Sequence, residues 1–139
     1  MQEAYQQAEI AFEQGEVPVG AVVVCQNRII AKAHNQTEKL NDVTAHAEMI
    51  AITAAANHLG AKYLHDCTLY VTLEPCTMCA GGLYWAQVGK IIYAVADPKR
   101  GYKRLKKNIL HPKTKVVTGV LESECQTLLN TFFARLRKQ

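Results

Sequence analysis

Two short stretches of the chain hold side chains that do chemistry in proteins. Pro75-Cys76-Thr77-Met78-Cys79 is a proline followed by C-x2-C, and His46-Ala47-Glu48 lies in the small, apolar run from Thr44 to Ala56. Two cysteines three residues apart at the start of a helix share one face, so both sulfurs reach one ion. The positive end of the helix dipole favours their thiolates. Alone, C-x2-C is compatible with a redox pair, half of a structural zinc site, or coincidence. A structural zinc takes four protein ligands, and Cys25, Cys67 and Cys125 are isolated along the chain and read as core thiols. His46 added to Cys76 and Cys79 makes three donors, the count of a catalytic zinc that leaves a fourth position for water.

Glu48 then acquires a reason. A carboxylate inside an apolar helix is strongly unfavourable unless it is paired or protonated. A proton carrier beside bound water is such a group, so Glu48 is the expected catalytic residue. Residues i and i+2 of a helix point about 200° apart. His46 and Glu48 can therefore serve one centre only from a first turn whose end is aimed at the metal, with Asp42 or Thr44 as the expected cap. The full pattern is His46-x-Glu48, 26 residues, then Pro75-Cys76-x-x-Cys79. It matches H-x-E…P-C-x-x-C, the known signature of zinc-dependent nucleobase deaminases.

The surrounding sequence predicts the elements that must position these groups. Residues 3–14 form a helix with Ala4, Ala8, Ala11 and Phe12 on one side. Residues 19–25 and 28–34 form a hairpin about Gln26-Asn27. A helix follows over 45–58, a strand over 67–73, a helix from Pro75 to 87, a strand over 90–96, a strand over 115–121 and a closing amphipathic helix over 122–137. This order predicts an α/β fold: a three-layer α/β/α sandwich with a five-stranded mixed sheet, built as one domain over residues 1–139. The hairpin is antiparallel and the strands joined through helices are parallel. Chemistry then belongs at the carboxyl ends of the parallel strands, where Leu73–Cys79 falls.

Hydrophobic residues make up 49% of the chain, which excludes a disordered polyelectrolyte. No run approaches the roughly 18 apolar residues of a membrane span, and the first ten residues lack a signal-peptide pattern. The expected location is cytoplasmic, with no membrane partner. Residues 99–115 hold eight of the sixteen Lys and Arg and no acid. Such a block is either a phosphate-binding surface or a solvated loop.

The chain resembles the cytidine-deaminase-like superfamily, and within it is most similar to the bacterial tRNA-specific adenosine deaminases. The resemblance rests on EVPVGAVVV, on His34-Asn35, on NDVTAHAEM, on LYVTLEPCTMCAGG and on GVLESECQTLLNTFF, in that order along the chain. It implies one Zn2+ per subunit held by His46, Cys76 and Cys79, no organic cofactor, and conversion of adenosine to inosine at the wobble position of a tRNA anticodon loop. It implies a homodimer with the helix after Cys79 near the interface. It also implies that Asn35 hydrogen-bonds the purine and that Val17 and Pro18 wall the base pocket. Asp97 and Lys99, with Phe132, Phe133 and Arg137 of the last helix, would contact RNA. Where that family commonly carries a Gly-Ser loop, this chain has the basic GYKRLKKNILHPKTK.

Two other functions compete. HDCTLY and LYWA are similar to small guanine deaminases of the same fold, so a free-nucleobase (guanine or cytosine) deaminase is the alternative enzyme. A zinc-stabilised RNA-binding module without activity would need a fourth protein ligand, and no motif places His34, His58, His65 or His111 to supply it.

Overall fold

The computed structural model describes residues 1–139. The order is α1 (Gln2–Glu13), β1 (Gly20–Cys25), β2 (Arg28–His34), α2 (Ala47–Leu59), β3 (Cys67–Leu73), α3 (Thr77–Ala86), β4 (Lys90–Val95), β5 (Lys115–Thr118) and α4 (Glu122–Arg137), with one 3-10 turn at Tyr102–Leu105. The strands form one sheet in the order β2-β1-β3-β4-β5. β1 is antiparallel to both β2 and β3, whereas β3–β4 and β4–β5 are parallel. This is the expected mixed sheet of five strands.

The helices divide between its two faces. Ala47, Ala51 and Ala55 of α2 share a core with Ala80, Leu83 and Ala86 of α3 and with Leu69, Ile91 and Tyr93 of the sheet. Ala94 and Val95 pack instead with Cys125 and Leu129 of α4, and α1 packs on α4. Alternation along β4 thus feeds both layers. α1 presents only alanines to the sheet, Ala4, Ala8 and Ala11. That lets its backbone lie so close that a Cβ at Gly20 would collide with the Ala4 carbonyl and the Ala8 amide.

Several boundaries differ from expectation for local reasons. Gln26 and Asn27 both have positive φ, 51° and 61°, so the hairpin closes with the mirror-image turn whose twist suits paired strands. β5 stops at Thr118 and not at 121, because Gly119 turns left-handed at φ 87°. α3 begins at Thr77, leaving Pro75 outside it. α2 begins at Ala47, and its cap is His46 itself, not Asp42 or Thr44. Asp42 ties the preceding loop instead, its carboxylate accepting from the Thr44 amide at 2.8 Å and the Thr44 hydroxyl at 2.7 Å.

This topology decides where functional groups meet. β2 and β3 each run antiparallel to β1, so their carboxyl ends lie at one edge, as does that of β4. Asn35 follows β2, Glu74–Cys79 follow β3, Asp97 follows β4, and Val17–Val19 lead into β1 at the same edge. No helix is long and apolar enough to cross a membrane.

Candidate active site

His46 and Cys76 occupy the same place in their helices. Each is an N-cap with extended backbone, at φ −79° and ψ 151° for His46 and φ −72° and ψ 173° for Cys76. The loop from Asn35 brings the first to the edge, and Pro75 turns the chain out of β3 for the second. The Cys76 sulfur caps α3 by accepting the Cys79 amide at 3.5 Å. That turn folds Cys79 back beneath Cys76 and explains how cysteines three apart converge.

The His46 Nδ1 lies 3.6 Å from the Cys76 sulfur and 3.5 Å from the Cys79 sulfur. All three donor atoms fall within 4.8 Å of one another. A tetrahedral zinc ion about 2.3 Å from each sulfur and about 2.0–2.1 Å from the nitrogen requires N···S separations of about 3.6 Å. The observed spacing meets that requirement. The donor set, two thiolates and a neutral imidazole, matches the preference and the charge of zinc.

Because His46 stands outside the helix, the 200° problem posed by the sequence does not arise. Glu48 is the second residue within α2, in the first turn at the positive helix end, and its carboxyl lies beside the Cys79 sulfur. It is buried, and burial pushes its pKa up to about 7. The group therefore exchanges a proton near neutral pH. The Cys76 thiol is pulled down to about 4, first by its bond with Cys79 and then by His46, against the opposing effect of burial. Cys79 moves upward because Cys76 and burial hold its proton in place. His46 is raised by its contact with Cys76. Metal ligation requires both sulfurs as thiolates and would release any proton held between them.

Asn35 is buried, and its side-chain oxygen accepts the Ala47 amide at 2.8 Å. This bond satisfies one of the free N–H groups of α2 and fixes the side chain, leaving its NH2 to donate elsewhere. Pro18 is buried, and Val17 packs against both core clusters. Asp97 is half-buried, its Oδ1 taken by the amides of Lys99 and Arg100 at 3.2 and 3.1 Å. Lys99 and Arg137 are exposed. Phe132 packs edge-on against Phe12 of α1, with ring centroids 6.2 Å apart, and so pins α4 to α1; Phe133 lies more open.

Two residues of the site do not appear among the sequence candidates. Glu16, buried, accepts from the Thr37 hydroxyl and from the amides of Glu38 and Lys39, at 3.3, 3.1 and 2.8 Å. It fixes the loop that leads to His46. Glu74, also buried, accepts the amides of Asp97 and Lys103 at 3.0 and 3.1 Å. The Tyr102 amide bonds the Pro75 carbonyl at 3.0 Å. The Asp97–Lys103 loop is thereby stitched to the segment that carries Cys76. A Cβ at Gly101 would strike the Glu74 carboxylate, so this seam requires glycine. The signal was present in the sequence as an acid enclosed by apolar residues and proline, in Glu16-Val17-Pro18 and Leu73-Glu74-Pro75. Glu74→Ala is expected to leave two amides without a partner, at roughly 1–3 kcal/mol each. The midpoint of urea unfolding should fall accordingly; an unchanged midpoint would show that water replaces the carboxylate at no loss.

The basic block of residues 99–115 does not form one surface. Lys103–Lys107 are exposed at the carboxyl end of β4, beside Asp97. The chain then crosses the molecule to start β5, so Lys113 and Lys115 lie at the opposite edge of the sheet, in a cavity with Lys90.

Residues 1–137 match the MafB19-like deaminase family. The tRNA-specific adenosine deaminase of Bacillus subtilis is 46% identical over 144 aligned residues, covering 100% of this chain and 89% of that protein. A solved structure from a study of A-to-I editing by tRNA:A34 deaminases at the wobble position superposes with a TM-score of 0.87 at 42% identity, covering 93% of this chain and 97% of that one. The guanine deaminase of Bacillus subtilis also superposes, with a TM-score of 0.65 at 42% identity, over 68% of this chain and 61% of that one. Its shorter overlap sets it apart from relatives that match end to end. The chain is a MafB19-like deaminase and belongs to the family of tRNA-specific adenosine deaminases.

Proposed function

We propose that this protein deaminates adenosine to inosine at the wobble position of tRNA anticodons. The observation that carries the reading is the triangle of His46, Cys76 and Cys79 with the buried carboxyl of Glu48 beside it. The full-length likeness to tRNA-specific adenosine deaminases supplies the substrate class.

His46, Cys76 and Cys79 would hold one zinc ion, which, when bound, supplies Lewis-acid activation of water at neutral pH. Glu48 takes a proton from the attacking water as the new C–O bond forms at C6 of adenine. It passes that proton to N1. Glu48 then takes the remaining proton of the added hydroxyl and delivers it to the exocyclic amine; the C6–O bond becomes a carbonyl, the C6–N bond breaks, and ammonia leaves. Water and adenosine are consumed; inosine and ammonia are formed. The Asn35 oxygen is engaged by Ala47, so its NH2 donates to an acceptor nitrogen of the purine, and Val17 and Pro18 wall the pocket. A stacked base cannot enter such a site, whereas an anticodon loop offers one that splays out. Asp97, Lys99, Phe133 and Arg137 contact the RNA; Phe132 serves chiefly by holding α4 in place. Met78 and Trp85 are exposed one above the other on α3, seven residues apart. An apolar stripe of this kind suits burial against a second copy of the chain.

The test is inosine formation on a panel of anticodon stem-loops with adenosine at the wobble position, run beside free guanine, cytosine and adenosine. Inosine in RNA supports the proposal. Ammonia from free guanine and none from RNA overturns it in favour of the base deaminase, which the partial likeness to guanine deaminase favours. Replacing Lys103, Arg104, Lys106 and Lys107 with Ala is expected to weaken RNA binding. The slope of log K against log salt should flatten by up to about 3 units, at about 0.7 per phosphate contact of a single strand. An unchanged slope would place the RNA elsewhere.

A further inference from the structure

At the edge of the sheet away from His46, a cavity of about 740 Å³ opens between the starts of β3, β4 and β5. His65, Lys90, His111, Lys113 and Lys115 line it, and Asp66 is its only acid. We infer that this cavity binds phosphate groups, and that the phosphates are those of the RNA whose adenosine reaches the donor triangle. The second half of this inference rests on the function proposed above.

Like charges are concentrated here against their own repulsion. Lys90 and Lys115 are register partners on adjacent parallel strands, so their side chains leave the same face about 4.8 Å apart along the hydrogen-bond direction. Such neighbours destabilise a sheet. No salt bridge relieves them: Asp66 pairs with none of these lysines, and the one salt bridge in the molecule joins Lys32 to Glu3. A fold gains nothing from this arrangement unless an anion occupies it.

The cavity also offers an imidazole donor. The His111 Nδ1 accepts the Lys113 amide at 3.2 Å. Its ring proton therefore resides on Nε2, which is left to donate. The Lys113 amide in turn fixes that ring beside its own ammonium chain.

The spread of charge favours a polymer over a small anion. Lys90 and Lys115 sit side by side on neighbouring strands and Lys113 two residues before β5, so the cavity presents three cations, more than one phosphate group needs. The seven residues of β3 separate this cavity from the segment that carries Cys76, a distance of about 20 Å at 3.3 Å per residue. That is several times one nucleotide step, which is about 3.4 Å even in B-form DNA. An RNA stem continuing from a loop in the active site spans it; a single nucleoside does not.

The experiment compares the wild-type protein with two triple variants, Lys90→Ala/Lys113→Ala/Lys115→Ala and the corresponding Lys→Arg protein. RNA affinity is measured across a salt series. Loss of three phosphate contacts should flatten the log–log slope by about 2 units in the Ala protein, and the Arg protein should retain the wild-type slope. The melting temperature of the Ala protein should equal or exceed that of wild type, because repulsion has been removed, so lost affinity cannot be ascribed to unfolding. The imidazole resonances of His65 and His111 are followed in wild type during separate titrations with anticodon-arm RNA and with inorganic pyrophosphate. Shifts with RNA support the inference. An unchanged slope in the Ala protein, or shifts with pyrophosphate and none with RNA, overturns the RNA assignment. If wild type forms no inosine in any RNA, the functional reading fails, and the pyrophosphate titration alone decides the cavity: silent imidazoles there overturn phosphate binding as well.

Discussion

Glu48→Gln is expected to lower turnover by about 10²–10⁴-fold, the usual contribution of a positioned acid–base group, while the zinc content stays that of wild type. The amide has the shape of the carboxyl and is neutral, so it fits a position where burial disfavours charge. What it lacks is the ability to accept a proton from water and deliver it to the ring. The loss should therefore appear in kcat, with RNA affinity little changed. Zinc content by atomic absorption and single-turnover inosine formation on an anticodon stem-loop separate the two properties. Near-normal turnover would remove Glu48 from the mechanism. Loss of zinc would show that it supports the metal rather than the proton transfers. Glu48→Ala should repeat the kinetic result with an added stability loss from the space it opens.

The second large effect is expected at the sulfurs. Cys79 is wholly buried beneath the N-terminus of α3. Cys79→Ala should abolish stable zinc retention after dialysis against a chelator and reduce turnover by at least about 10²–10⁴-fold. That figure is the several kcal/mol a Lewis acid contributes, at tenfold per 1.36 kcal/mol. Cys76 has two duties, and substitution can divide them. Cys76→Ala removes both the soft donor and the cap of α3, and loss of a cap alone costs about 0.5–2 kcal/mol. Cys76→Ser keeps an oxygen able to cap, so its melting temperature should lie above that of Cys76→Ala while its zinc loss is similar. Full zinc retention by either alanine variant would mean that the ion is held by other groups.

The site was legible from sequence to an unusual depth because its chemistry is encoded in short spacings. His46-x-Glu48 and Pro75-Cys76-x-x-Cys79 each straddle the start of a helix, so local geometry places most of their atoms before tertiary contacts are considered. The cap of α2 departs from the sequence expectation for a local reason. Asp42 and Thr44 are stronger caps by propensity, yet they bond each other in the loop. The cap position falls to His46, whose Nδ1 meets the sulfurs of a different helix. Glu16 and Glu74 escaped notice because their partners are backbone amides 22 to 29 residues away, and an amide leaves no mark in a sequence.

The same contrast governs the charges. Residues 99–115 read as one basic block along the chain. Parallel pairing of β4 with β5 obliges the intervening segment to travel from one end of the sheet to the other, and this divides the block between two edges. Sequence alone determined the element order and the mixed sheet and singled out His46, Glu48, Cys76 and Cys79 as candidates, since each follows from residue type and from periods of two or 3.6 residues. Tertiary structure alone decided that the donors stand about 3.5 Å apart, that two remote carboxylates hold the loops around them, and that the lysines of one segment face two different surfaces. Those facts depend on strand direction and on contacts between residues tens of positions apart, which packing of the whole sheet sets and no local pattern contains.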